Sequence, residues 1–297
     1  MSFWYIILGL VIAYYTARRF KPYKNVAGKV ILITGGGSGL GRLLAHKFAK
    51  KKAKIVIWDI NKEGADAVVE ECRKLGSPKV LAQKVDLSQR SEVYSTAEAT
   101  KKEMGNVDIV VNNAGIVSGK SLLDCPDALI EKTMQVNTHA LFWTTKAFLP
   151  DMIAQNYGHI VTVSSCAGLV GVVGLSDYCA SKSGAFGFDE SLRYELAKKN
   201  ITGVKTTVVC PFYINTGMFD GVKTRFSFLL PILDQDYAVD QMFRAILQDN
   251  PQLIMPIFSS FLFFARGIMP TVVFDAFMTF LGVNATMDQF KGRVKSE

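Results

Sequence analysis

The sequence predicts an α/β fold: a doubly wound parallel sheet with helices on both faces, an apolar membrane segment at the N-terminus and an apolar extension at the C-terminus. Three observations predict it. Short β-branched and aliphatic runs alternate with longer stretches of helical period from Lys29 to Met255, the pattern of strands joined by crossover helices. The strand runs are apolar throughout, as strands covered on both faces require. No Gly/Ser or Pro linker divides residues 29–256, so one domain is read over residues 25–256, preceded by an anchor with a basic flank (1–24) and followed by the extension (257–297).

Along the chain, Phe3 to Ala17 carry no charge and are followed at once by Arg18, Arg19, Lys21 and Lys24. A helix of that length reaches only about 22 Å against a hydrocarbon core of roughly 30 Å. The run therefore reads as a short anchor, a monotopic insertion, or a marginal span lengthened by snorkelling cations. A secretory signal would carry its basic residues before the apolar run and an A-x-A cleavage site after it; neither is present. The basic flank orients the domain after it toward the cytosol. On that side the sequons at Asn200 and Asn284 are chance matches.

Strands are expected at Val30–Thr34, Lys54–Trp58, Lys79–Val85, Asp108–Val111, His159–Ser164, Val204–Val209 and Gln252–Met255. Helices are expected at Leu40–Lys52, Lys62–Leu75, Ser91–Met104, Ala128–Gln155, Tyr178–Lys198 and Ala238–Gln248. Beyond them, Ile254–Phe264 and Gly267–Val283 are apolar and aromatic but interrupted by Pro256, Arg266, Pro270 and Asp275. Two readings stand for this stretch: core or oligomer contact, and a membrane-lying flap beside a lipophilic substrate entrance.

The first strand runs directly into Thr34-Gly35-Gly36-Gly37-Ser38-Gly39-Leu40-Gly41 and then into a helical pattern. Glycines let the backbone turn tightly and approach a pyrophosphate, whose charge is favoured by free N–H groups at the helix start. The placement is that of a Rossmann dinucleotide site with the spacing G-x-x-x-G-x-G, and no Walker Gly-Lys-Ser/Thr follows. Asp59 closes the second strand, 18 residues after Gly41, where a carboxylate accepts from ribose hydroxyls and repels a 2′-phosphate. NAD(H) is expected over NADP(H). The rival role for Asp59 is a cap on the helix beginning near Asn61.

Tyr178-Cys179-Ala180-Ser181-Lys182 sets a phenol and an ammonium four residues apart, on one face of a helix. A phenol with a pKa of about 10 is a poor base at neutrality, and a nearby cation lowers that value. Ser164-Ser165 ends a strand at the sheet edge where ligands bind, so a hydroxyl there can hold a substrate oxygen near the phenol.

With these residues in place, the sequence resembles the short-chain dehydrogenase/reductase superfamily. Its motifs occur in order as TGGGSGLG (34–41), Asp86-Leu87, NNAG (112–115), Asn137, Ser164-Ser165, YCASK (178–182) and a loop from Pro211. The likeness spans about residues 28–255 and implies Tyr178 as general acid/base, Lys182 as its activator and ribose ligand, Ser165 as substrate orienter and Asn137 as holder of a relay water. It further implies cofactor contacts from Gly35, Ser38, Gly39, Leu40, Gly41, Asp59, Asp86, Asn113, Ala114, Gly115, Ile214 and Thr216. Phe212 departs from the family's Pro-Gly.

Segments such as VIWDINKEG and TTVVCPFYINTGMF are similar to the retinol dehydrogenase and 17β-hydroxysteroid dehydrogenase-like branch, its epidermal retinol dehydrogenase type in particular. That likeness implies all-trans-retinol, a steroid or another lipophilic alcohol as substrate, a homodimer, and residence on endoplasmic reticulum or lipid droplets. Phe226, Phe228, Leu229 and Leu230 in the loop 213–233 suit such a substrate.

Composition removes other classes. At +8 net charge the chain is basic, yet no helix-turn-helix, zinc-finger or RNA-binding aromatic motif accompanies the charge, so an anionic membrane is the expected partner and nucleic acid is not. The composition is 49% hydrophobic, and a mean hydropathy of +0.20 agrees with lipid contact. Five cysteines without a C-x-x-C pair point to a reducing compartment and no metal site. A serine hydrolase would need a G-x-S-x-G elbow, which is missing. A catalytically silent scaffold is opposed by the intact Ser165, Tyr178 and Lys182.

Overall fold

The computed structural model describes residues 20–292; the apolar run Phe3–Ala17, Arg18, Arg19, Arg293 and Lys295 lie outside the described residues. Its centre is β1 (Val30–Thr34), a five-residue VILIT run buried at every position. Such a strand demands cover on both faces. It pairs in parallel with β2 (Lys54–Asp59) on one side and β4 (Ile109–Asn112) on the other. With β3 (Val80–Lys84), β5 (Gly158–Val163), β6 (Val204–Pro211) and β7 (Gln252–Met255), it forms an all-parallel sheet in the order β3-β2-β1-β4-β5-β6-β7. The chain winds outward through β3, returns, and winds the other way from β4. The crevice between β1 and β4 is therefore the switch point where ligands bind.

One face is covered by α1 (Gly39–Lys50), α2 (Lys62–Lys74) and, following in the later half of the chain, a helix at Gln235–Leu247. Phe48 and Phe243 meet there edge to face at 5.0 Å, a contact worth about 1 kcal/mol beyond the area it buries. The opposite face is covered by α3 (Arg90–Met104), a composite helix and the long α6 (Ser176–Lys198). The composite corrects the single helix expected over 128–155. It consists of α4 (Asp127–Met134), a π-helical turn over Gln135–His139, and α5 (Ala140–Ala154). The inserted turn rotates Asn137 inward, where it is 1% exposed.

The Gln235–Leu247 helix is α7; its N-terminus is capped by Asp234, whose carboxylate accepts from the Asp236 and Tyr237 amides. After β7 come α8 (Ile257–Ile268) and α9 (Thr271–Phe280), each begun by the proline that interrupts the apolar run. Their inner residues Leu262, Ala265, Phe274 and Met278 make a separate small core with Leu230 and Phe226 of the 213–233 loop. Among the described residues no helix is long and apolar enough to cross a membrane.

The chain enters the fold at the other end of β7. Lys24 donates its amide to Leu247 O at 2.9 Å and its ammonium to Asp249 Oδ1 at 2.8 Å. Its Nζ also lies 2.5 Å from His159 Nδ1. Burial holds His159 well below its ordinary pKa, so the neutral ring accepts from Lys24 and donates through Nε2 to Thr207. His159 is thereby a structural histidine. The five cysteines are free thiols.

Candidate active site

The glycine turn is shaped by contacts that exclude side chains. Gly35 has φ 62°, and a Cβ there would come 2.8 Å from the Ala114 Cα; one on Gly41 would come 2.4 Å from Gly35 O. Gly39, at φ 53°, faces only Thr216, 3.8 Å from where its Cβ would stand. A side chain on Gly39 would occupy that gap. The neighbouring NNAG loop is stitched to the turn: Asn113 and Ala114 donate their amides to Thr34 Oγ1, and Asn113 Nδ2 donates to Thr34 O and Gly35 O.

Asp59 Oδ2 accepts from Gly37 N at 2.8 Å, and its other oxygen accepts from Asn61 N at 2.9 Å. The cap on α2 is the Asn61 side chain, which accepts from Gly64 N. The carboxylate of Asp59 instead borders the cleft. Asp86 sits further out, 2.9 Å from Lys132 Nζ. Burial works against its charge, but Lys132 and the Ser88 hydroxyl hold its carboxyl below the usual value.

A cleft of about 300 Å³ runs from Asp59 and Asp86 across the switch point to Tyr178 and Thr216. Gly35, Ser38, Gly39, Leu40, Asn113, Ala114 and Gly115 line its first half; Ser165, Lys182 and Ile214 line the second. Two residues singled out in the sequence do not line it. Gly41 lies beneath, packed on Gly35. Asn137 lies behind Gly115, with Oδ1 accepting from Ile116 N at 2.9 Å and Nδ2 donating to Ile116 O at 2.9 Å and Ser181 Oγ at 3.0 Å. Its side chain thus braces the loop against α6. Lys132, Met218 and Phe219 line the cleft without a motif to announce them.

At the inner end, β5 delivers Ser164 and Ser165. Ser164 Oγ donates to Lys182 O at 2.7 Å and is consumed in joining strand to helix. Ser165 Oγ accepts from Ala167 N at 3.1 Å, is 3.4 Å from Pro211 O, and lines the same cavity walls as Tyr178. The Lys182 ammonium donates to Val163 O at 2.9 Å and lies 5.7 Å from the Tyr178 ring centre. Burial pulls Lys182 down to about 8. Burial also pushes the Tyr178 phenol above its ordinary value, the Ser165 hydroxyl opposing. The sequence led to the opposite expectation for the phenol in the presence of a cation. Desolvation prevails in the protein alone because the ring is buried on all sides while Lys182 directs its proton to Val163.

Ser165 and Tyr178 also face a second, apolar cavity, of about 40 Å³. Its walls are Val170, Val172, Leu175 and Leu230, together with Ser259 and Leu262 of α8, Met278 of α9 and Val283. Phe212 and Phe219 stand in both walls. The unexpected aromatic at 212 is therefore a partition between the two cavities, and Ile214 and Thr216 keep their places in the cleft. The C-terminal extension is pocket wall on its inner side, a role no motif signalled. Beyond it, Thr286 hydrogen-bonds the Tyr213 hydroxyl at 3.0 Å, and the Phe290 ring lies against Gly119 and 6.3 Å from Phe219.

Residues 29–225 match the family model described as short chain dehydrogenase. The chain belongs to the short-chain dehydrogenase family. It is 52% identical over 275 residues to epidermal retinol dehydrogenase 2 of Mus musculus, covering 93% of this chain and 89% of that one. It is 46% identical over 293 residues to retinol dehydrogenase 10 of Rattus norvegicus, covering 90% and 86%. Among solved structures, a short-chain dehydrogenase/reductase from Burkholderia phymatum in complex with NAD aligns with a TM-score of 0.73 at 26% identity, over 82% of this chain and 94% of that one. NAD+-bound xylitol dehydrogenase shares the fold with a TM-score of 0.70 at 21% identity, over 78% and 99%. As a short-chain dehydrogenase the protein is an oxidoreductase acting on CH–OH groups with a nicotinamide cofactor.

Proposed function

We propose that the protein interconverts all-trans-retinol and retinal with NAD(H). The observation that carries this reading is the pair Ser165 and Tyr178 standing at once in a polar cleft and in an apolar pocket. The retinol dehydrogenase names of relatives that cover nine-tenths of the chain support the retinoid. The Asp59 carboxylate at the adenosine end supports NAD, since a 2′-phosphate there meets a negative charge.

The cleft fits the dinucleotide, because a glycine-lined turn opens on the start of α1 where a pyrophosphate would be met by backbone N–H groups. When bound, the nicotinamide supplies the acceptor or donor for hydride. The protein does the rest. Ser165 Oγ donates to the substrate oxygen and fixes it beside the Tyr178 hydroxyl. Tyr178 takes the alcohol proton in oxidation and returns it in reduction. Lys182, buried at the cleft wall, holds a positive charge near that phenol and a donor for the nicotinamide ribose. Asn137 keeps the 115–116 loop and α6 in register, and its placement beside Gly115 supports a share in the proton relay.

The apolar run at residues 3–17 and its basic flank support an anchor on the endoplasmic reticulum membrane or a lipid droplet, with the catalytic domain facing the cytosol. Residues 25–256 are the catalytic domain in this reading. Exposed Phe142, Ile153 and Tyr194 on α5 and α6 support a homodimer through those helices. A substrate panel of retinol, retinal, steroids and long-chain alcohols with NAD(H) and NADP(H) tests the function, Tyr178→Phe serving as blank. Retinoid turnover with NAD(H) is expected. Preference for another substrate, or for NADPH by tenfold or more, overturns the respective part.

A further inference from the structure

The two faces of the α8–α9 pair differ in what they meet. Inward, Ser259, Leu262 and Met278 are wall of the apolar pocket. Outward, Ile257, Phe261, Phe264 and Ile268 form one stripe on α8, at 78%, 51%, 64% and 67% exposure, and Val272 and Phe280 continue it on α9 at 81% and 58%. A water-facing helix carries polar residues on its outer side. These two helices hold a single carboxylate, Asp275, and a single cation, Arg266. So extensive an exposed apolar face marks a docking surface.

We propose that this face lies in a lipid surface and that the substrate passes from lipid into the pocket between α8, α9 and the 213–233 loop. The inference rests on the reading of a lipophilic alcohol as substrate. Three features select lipid as the occupant. First, the chain's other apolar segment ends just before the described fold, which begins strapped through Lys24 to Leu247 and Asp249 near the start of β7. α8 begins two residues after β7 ends, and a four-residue strand spans only about 13 Å. A lipid plane along the β7 edge would face both the point where the described chain begins and the start of α8. Second, a cation borders this face: Arg225 donates to Phe280 O at 3.2 Å with its guanidinium over the exposed Phe280 ring, so its stem covers apolar surface where its charge can meet headgroups. Third, the pocket that Ser165 and Tyr178 face is closed on this side by apolar side chains of α8 and α9. The walls on this side are apolar contacts, which lipid replaces without the cost that water imposes.

The test uses the full chain with phosphatidylcholine vesicles containing phosphatidylserine. Hydrogen exchange over residues 257–280 should slow on adding vesicles in the wild type and not in the Phe261→Ser/Phe264→Ser pair. KM for vesicle-borne retinol should rise about fivefold or more in that pair, with kcat and the turnover of water-soluble cyclohexanol unchanged, and Phe261→Leu/Phe264→Leu should restore it. The proposal is overturned by exchange indifferent to vesicles, by an unchanged KM ratio, by equal losses on both alcohols, or by a lower assembly mass in the Ser pair, which would assign the face to a second copy. Wild-type inactivity toward retinol counts against the retinoid alone; the exchange measurement does not depend on it.

Discussion

The cofactor cleft and the apolar pocket share Ser165, Tyr178, Phe212 and Phe219, yet their remaining walls are made from different materials. The cleft is made of backbone turns at the carboxyl ends of strands, where glycines are forced by contacts as close as 2.4 Å and Asn113 ties two loops together. The pocket is made of side chains from segments separated by more than a hundred residues, packed on one another by apolar contact. Such construction tolerates exchange of shape for shape. In the function proposed above, the first region would keep the chemistry constant and the second would choose the substrate.

Replacing Tyr178 by Phe strikes the element common to both and carries the largest effect. A loss of about 10³-fold in kcat is expected, in the range of a missing general acid/base, with NADH affinity by fluorescence titration unchanged. Parallel loss of NADH affinity would make Tyr178 a cleft residue only.

Asp189, on the helix that presents Tyr178 and Lys182, probes the scaffold under the cleft. It is 0% exposed, and burial raises its carboxyl to about 7, the Thr162 and Thr206 hydroxyls opposing. A raised carboxyl binds a proton in the folded state that the unfolded chain releases near pH 4. Stability is therefore lost as pH rises from about 4 to about 7. Asp189→Asn should remove that loss, gaining up to roughly 4 kcal/mol at pH 8 at 1.4 kcal/mol per pH unit, and nothing at pH 4. Denaturant titration at the two pH values checks it.

Asp59→Ala confines its effect to the cleft. The NAD over NADP preference in kcat/KM should fall about tenfold or more as the repelled 2′-phosphate is admitted, while KM for the alcohol stays. Met278→Ala confines its effect to the pocket. Truncating a side chain that walls the pocket and not the cleft should raise KM for a long apolar alcohol a few fold, at most about tenfold, and leave KM for NAD unaltered. If either substitution moved both KM values together, the division between the regions would fail.

The two regions were unequally legible. The strands at Val30–Thr34 and Gln252–Met255 occur as read, because an apolar run bounded by turn residues has one outcome in a parallel sheet. The Tyr178–Lys182 pair and the glycine turn were readable because their chemistry depends on fixed local spacing. Asn137 was placed within an unbroken helix. The π turn that aims it inward answers to Ile116 and Ser181, which lie 21 and 44 residues away. Periodicity over 257–283 left core and lipid contact undecided, since a two-sided apolar helix satisfies both.

By itself, then, the sequence determined the parallel sheet, the glycine turn and the Tyr178–Lys182 pair proposed for proton transfer, each encoded in residues close along the chain. Only the tertiary structure decided that Ser164 serves the scaffold while Ser165 faces the apolar cavity with Tyr178, that Asn61 caps α2 and leaves Asp59 to the cleft, and that α8 and α9 wall that cavity. Those outcomes depend on which distant partner satisfies each buried polar group and covers each apolar face, and that is settled when the layers pack.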